Sequence, residues 1–287
     1  MKLDAATFLL QWATGGLLFG WVTTRRREVS LGYGWLIRLV FGTFAGGAAA
    51  VFLTGDLGPA RIVAALAAIA CVAGTIVALV ASIQRRRAGV RGREEVRAAR
   101  RARVSAMIGR AGQDGDEAPE RGPEFAPVLD LIAPVAGFIG LLAAAQFAGG
   151  PYLLAVARLV VGAVFLGSVS DAMLLGHWYL VQPGLPRGPV KELVAWSARA
   201  WPFEIAVFLW PTGMVQVING VVADGYHGVL GWIWIGCAVL TIGLVGLTWA
   251  ALRERYYSAV MAATGLLYLA ILTAFGTDLV ARAVLRP

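Results

Sequence analysis

Apolar residues in this chain run in unbroken blocks separated by short polar stretches, not in the narrow stripe that a soluble amphipathic helix shows. A helix needs about 20 mostly apolar residues to cross a bilayer. Eight stretches reach that length: Ala5–Thr24, Trp35–Thr54, Arg61–Gln84, Ala126–Phe147, Leu153–Leu175, Leu193–Ile218, Gly228–Leu252 and Ala259–Val284. The pattern predicts an all-α membrane protein, a polytopic bundle of about eight transmembrane helices. The sixth stretch is the weakest. Pro202 and Pro211 interrupt it, and proline removes a backbone donor and kinks a helix. Seven crossings plus a re-entrant segment is the competing count.

The loops divide by charge. Arg25–Arg27 follow the first stretch, and a run from Arg85 to Arg110 follows the third. Arg187 and Lys191 follow the fifth, and Arg253 and Arg255 the seventh. The alternate loops, Gly55–Pro59, Ala148–Tyr152 and Asn219–His227, carry neither Lys nor Arg. Basic loops stay in the cytoplasm, so both termini are expected to be extracytoplasmic and the protein to be a multi-pass component of the cell (plasma) membrane. The first apolar run precedes its arginines, the reverse of a secretory leader, and reads as a retained span. The organisation is then a three-helix segment over 1–84, a cytoplasmic insertion over 85–125 and a five-helix segment over 126–287. Within the insertion, an arginine-rich helix over 93–108, ended by Gly109 and Gly112, precedes a flexible Gly/Pro/acidic linker.

Composition agrees with this reading: 59% hydrophobic and 15% charged, with net charge +8. Only Lys2 and Lys191 among the 25 basic residues are lysines. The excess charge clusters between apolar runs, where it suits anionic lipid at the cytoplasmic face; no nucleic-acid partner is implied. Cys71 and Cys237 lie in separate apolar runs and form neither a disulfide framework nor a metal motif. No zinc-protease, nucleophile-elbow or phosphate-loop motif occurs. Gly16/Gly20 and Gly42/Gly46 have the four-residue spacing that lets helices approach closely.

Charged side chains within spans are costly, about 2.5–3.5 kcal/mol each, and so point to function. Asp171, Glu204 and Arg199 are the candidates for a proton or ion path, and His177 is the candidate cofactor ligand. Arg38 and Asp130 join them in a cytoplasmic-half set. Asp171 and His177 are about 600° apart around their helix, so they do not share a face. Glu204 has two further readings, as a neutral hydrogen-bonded group or as a partner of Arg199. Arg158, Asp224, His227, Asp278 and Arg282 are expected nearer the other side, with Asp278 and Arg282 as an i,i+4 ion pair. His177 and His227 fall on opposite sides, which excludes a bis-histidine haem within this chain. A quinone, or a haem with His177 as its one histidine, remains open as cofactor. The stretch GHWYLVQPGLP (176–186) has the look of a motif, with no activity attached to it.

Three functions are expected, in this order. The first is an integral subunit or anchor of a larger membrane assembly, such as a respiratory complex, with other membrane subunits as partners. The second is transport of a small solute or ion, proton-coupled or channel-like. The third is a membrane enzyme on a lipid-linked substrate, with His177 and Asp171 as its base.

Overall fold

A computed structural model describes residues 4–26, 28–55, 58–84, 125–182, 185–209, 213–254 and 256–285. The arginine-rich helix and acidic linker expected between 85 and 124 lie outside the described residues, as do Arg27, Pro183, Trp210, Pro211 and Arg255. Among the described residues there is no strand. The order is α1 (Ala5–Thr24), α2 (Leu31–Leu53), α3 (Pro59–Gln84), a 3-10 turn (Pro127–Leu131) running into α4 (Ile132–Ala144), α5 (Tyr152–Val181), α6 (Gly188–Leu209), the short α7 (Met214–Ile218), α8 (Val229–Ala251) and α9 (Tyr257–Val284). Seven of these are long and apolar enough to cross a membrane: α1, α2, α3, Pro127–Ala144, α5, α8 and α9.

The sixth stretch departs from expectation. In place of one helix over Leu193–Ile218 there are α6 and α7, with 210–212 between them outside the described residues. Pro202 lies inside α6 without ending it, Gly213 before α7 has an extended backbone (φ -158°), and Pro211 has no N–H to offer the Val207 carbonyl four residues earlier. Lys191, Glu192, Arg199 and Glu204 make α6 more charged than the seven spans.

One end of the bundle is basic, with Arg25, Arg26, Arg187, Lys191 and Arg253. The opposite end holds the starts of α1, α3, α5 and α8. Helix ends there are closed by side chains. Asp4 caps α1 by accepting the Thr7 N–H at 3.0 Å. Arg61 donates to the carbonyls of Phe52 and Val51 at 2.9 and 3.1 Å, closing the C-terminus of α2. Asp224 accepts the N–H groups of Tyr226, Gly228 and Leu230, each at 2.9 Å, and so sets where α8 begins. The entry turn needs His227 at φ 56° and Gly228 at φ 85°.

The bundle is organised on α1 and α5, the two spans with the largest buried share. α1 packs against α2, α4 and α5, and α5 packs against α1, α6 and α9. They cross where Gly15 faces Ala163 and Gly167: a β-carbon on Gly15 would overlap the Ala163 carbonyl oxygen, and one on Gly167 would overlap the Gly15 backbone. Lipid tails are as apolar as the side chains, so such close packing is the main attraction between membrane helices. Gly16 and Gly20 turn to Phe41 and Ile37 of α2, Gly42 and Gly46 to Thr75 and Val72 of α3, and Gly137 of α4 seats Thr14. Beside the crossing, Trp12 stacks on Phe44 at 4.3 Å between centroids, meets Phe275 edge-on at 4.4 Å and donates to Ser170 Oγ at 2.8 Å.

The GHWY residues face four ways. Gly176 lets Thr264 of α9 approach to 3.0 Å of its absent β-carbon. His177 pairs with Tyr268 of α9, Trp178 donates to Ser30 Oγ at 3.1 Å, and the Tyr179 hydroxyl donates to the Pro186 carbonyl. The segment joins α5 to α9, to the start of α2 and to the following turn.

Two outcomes test this description. Gly15→Leu and Gly167→Leu force a side chain into backbone and are expected to exceed the ~1–3 kcal/mol of ordinary overpacking. Gly236→Leu, with nothing within 4 Å of its added carbon, is expected to be tolerated. Thermal unfolding in detergent separates them, and equal melting of all three would refute the crossing. The second concerns Asp224, whose carboxyl is held below the usual aspartate range, first by the Gly228 N–H and then by those of Tyr226 and Leu230. Its stabilisation is fully present above the unfolded value near ~3.9 and fades as pH falls through the lower folded value. Protection of the Gly228 and Leu230 amides, relative to their intrinsic exchange rates at each pH, is expected to fall only in that acid window.

Candidate functional site

Among the described residues, the densest buried polar cluster joins four helices toward the end opposite the basic face. α1 supplies Gln11, α5 Arg158, α6 Glu204, and α9 Asp278 and Arg282. Gln11, Glu204, Asp278 and Arg282 are fully buried and Arg158 is 5% exposed. Arg282 Nε donates to Asp278 Oδ2 at 2.7 Å, and its Nη2 donates to the Gln11 amide oxygen. The i,i+4 pair read from sequence is therefore present, extended by a bond to α1. Gly162 of α5 makes room for the Gln11 amide, since a β-carbon there would meet Gln11 Nε2 and come within 3.5 Å of Asp278 Oδ1. Glu204 lies in electrostatic range of Asp278 and Arg282. Arg158 donates from Nε to the Val207 carbonyl at 2.8 Å, the group that Pro211 leaves without a helical partner. This cation thus closes the C-terminus of α6 and holds it against α5.

The cluster is not fully satisfied. Gln11 Nε2, both oxygens of Glu204, Asp278 Oδ1 and Arg282 Nη1 are buried without a hydrogen-bond partner. Buried polar atoms in native proteins are paired with few exceptions. Three acceptors and two donors are thus gathered without hydrogen-bond partners.

Depth follows from packing. Glu192 near the start of α6 pairs with Arg25 at 2.6 Å and Arg26 at 3.2 Å, at the basic end. Glu204 is about 18 Å further along the helix, and Gln11 about 9 Å inside the start of α1. Glu204 therefore sits with Asp278 and Arg282, away from the basic-end set in which the sequence grouped it. Arg199 is exposed while Glu204 is fully buried, and no ion pair joins them among the described residues. Trp201 donates to the Ala238 carbonyl, halfway along α8, at 2.9 Å, so Arg199 lies between mid-span and the basic end.

Asp171 lies on the basic-end side of the α1–α5 crossing, fully buried, with neither oxygen hydrogen-bonded. Its carboxyl is near Gly20 of α1, and Tyr33 of α2 donates to its backbone carbonyl at 3.3 Å. Between Asp171 and the cluster, α5 presents Ser168 and Ser170 inward. Ser197 of α6 donates to Ser168 Oγ at 3.1 Å. His177 is exposed and its Nδ1 lies 3.1 Å from the Tyr268 hydroxyl, so His177 and Asp171 do not meet. His227 is exposed in the α8 entry turn. Among the described residues no group of three His, Cys, Asp or Glu is placed to hold a metal.

Arg38 and Asp130 form the second ionic site, at the basic end. The guanidinium is bidentate on the carboxylate, 2.8 Å on each arm, and Thr24 donates to Asp130 Oδ2 at 3.1 Å. The Phe125 ring lies 4.9 Å from the guanidinium carbon. The pair ties the 3-10 turn before α4 to α1 and α2, and two clefts beside it have room for about one water molecule each.

Reading charged residues alone paired Asp278 with Arg282 and placed Arg158 on their side, but grouped Glu204 with the basic-end residues. It passed over Gln11, a neutral side chain in an apolar run. The available signal was a neutral carboxamide side chain where only apolar residues are expected.

Asp130→Ala is expected to strand the Arg38 guanidinium and cost ~3–5 kcal/mol, whereas Arg38→Leu with Asp130→Leu recovers most of the loss. Thermal unfolding of the two variants checks this, and a double variant no more stable than the single would disprove an ion-pair role. Comparison of the chain with family models, with curated proteins and with solved structures finds no match.

Proposed function

We propose that this chain is an ion-coupled membrane transporter whose coupling site is the Gln11–Arg158–Glu204–Asp278–Arg282 cluster. One observation carries the reading: five polar side chains from four helices are buried together with five atoms left unpartnered. Groups so costly to bury at membrane depth mark ion and proton pathways. Asp171, with Ser168, Ser170 and Ser197 between, extends polar groups from the cluster toward the basic end. The Gly15–Gly167 crossing lies beside this track and limits its width. Arg199 stands outside the track, on the exposed face of α6.

In this reading α6 supplies the eighth crossing, because Glu192 meets the basic end and Glu204 the cluster. The basic end faces the cytoplasm with anionic lipid, both termini are extracytoplasmic, and the host is the cell membrane.

Proteoliposomes carrying the purified protein and a trapped pH dye test the proposal across a panel of ions and small solutes. Flux is expected to fall more than tenfold in Glu204→Gln and in Asp171→Asn. No flux for any member of the panel in the parent protein would sink it.

A second reading, a subunit of a larger membrane assembly, is favoured by the exposed Arg199 and by open space around Gly236, Gly243 and Gly246 of α8. Small residues let helices approach closely. In that setting a quinone or haem would meet His177 through Nε2, since Nδ1 is engaged by Tyr268. Native mass measurement in mild detergent separates the readings: a bare monomer without cofactor speaks against the assembly.

A further inference from the structure

Resting on the coupling-site reading, we infer that the ion bound in the cluster is a proton, carried on the Glu204 carboxyl, with Arg282 as the counter-charge that responds to its release. The argument begins with the two oxygens of Glu204, buried and without a hydrogen-bond partner. An ionised carboxylate in that setting is far more costly to bury than a neutral carboxyl.

The neighbouring groups select among cations. One guanidinium, that of Arg282, faces the site, and a second, that of Arg158, lies in electrostatic range of Arg282. A metal cation placed there meets their repulsion where screening is weak. It also needs a shell of oxygen ligands, about six or more for a hard divalent ion. The cluster offers the two Glu204 oxygens and Asp278 Oδ1, because the Gln11 amide oxygen and Asp278 Oδ2 are already taken by Arg282. A proton needs no shell, since it adds to one carboxylate oxygen as a covalent O–H.

The partners also define what release does. With Glu204 protonated, Asp278 and Arg282 neutralise each other, and Arg158 is held on the Val207 carbonyl at the negative end of the α6 dipole. On release the Glu204 O–H bond breaks, the electron pair stays on the carboxylate oxygen, and the proton passes to water. The new charge attracts Arg282, whose Nη1 is one of the two unpartnered donors in the cluster and the one that carries charge. Arg282 then moves from Gln11 of α1 toward Glu204 of α6, so proton loss shifts a contact from one helix to another. The titratable and charged groups facing Glu204 are Asp278 and Arg282 of α9, with Arg158 of α5 acting on Arg282. Gln11 of α1 is uncharged, α7 and α8 carry no charged side chain, and on α6 itself Arg199 is exposed on another face.

Infrared difference spectroscopy of the full-length protein in lipid tests the proton directly. A protonated-carboxyl C=O band that shifts in D2O is expected at neutral pH, lost in Glu204→Gln and kept in Asp278→Asn. Melting in rising NaCl, against choline chloride at equal ionic strength, is expected to show no sodium-specific stabilisation. Absence of any band that Glu204→Gln removes overturns the inference. So does a sodium-specific rise in melting temperature that Glu204→Gln abolishes. The band present without solute or ion flux upholds the proton site and counts against transport; sodium-driven flux upholds transport and refutes the proton.

Discussion

Gly15 and Gly167 set the distance between the two helices on which the bundle is built. No side chain lies between α1 and α5 at that level, and the Ala163 carbonyl occupies the place of a β-carbon on Gly15. In lipid such contact substitutes for the hydrophobic drive of a soluble core. It fixes what happens on each side. Toward the opposite end, the missing side chain of Gly162 leaves room for the Gln11 amide. Toward the basic end, Gly20 leaves space for the Asp171 carboxyl. A larger residue at the crossing would displace both polar sites together.

Proline and arginine cooperate in placing the polar cluster. Pro211 has no N–H to offer the Val207 carbonyl, and Arg158 of α5 donates to that carbonyl instead. That bond holds the last turns of α6, and with them Glu204, against α5 and α9. Arg61 does similar work at the end of α2. These arginines act as helix C-caps, so a cation in an apolar run is not by itself evidence of a pathway. Glu204, Asp278 and Gln11 differ because partnerless atoms remain after every local bond is counted.

The basic end is held by ordinary means. Arg38 and Asp130 join the α4 entry to α1 and α2, Glu192 receives Arg25 and Arg26, and Arg187 donates to the carbonyls of Tyr256 and Glu254. The GHWY residues continue this stapling: Gly176 and His177 toward α9, Trp178 toward the start of α2 and Tyr179 toward the turn after α5. Their look of a motif has a structural source: four consecutive helical residues point in four directions about 100° apart, and here each direction has its own neighbour.

By itself the sequence determined that the chain is helical and built from apolar spans, because block length and loop charge are one-dimensional properties. It also paired Asp278 with Arg282, since i,i+4 neighbours on a helix meet whatever else the chain does. Gly16/Gly20 and Gly42/Gly46 were legible as close-packing positions, but the partner helices were not. Only the tertiary structure decided that Glu204 stands with Asp278 and Arg282, that Gln11 belongs with them, that Arg38 meets Asp130 and that His177 turns to Tyr268. These pairings join residues far apart along the chain, and their geometry depends on helix rotation and on the depth of the α1–α5 crossing. The sixth stretch shows the boundary most plainly. Its prolines announced a break, but Pro202 lies inside the continuous α6, and only packing against Arg25, Arg158 and Ala238 fixed the depth of Glu192, Glu204 and Trp201.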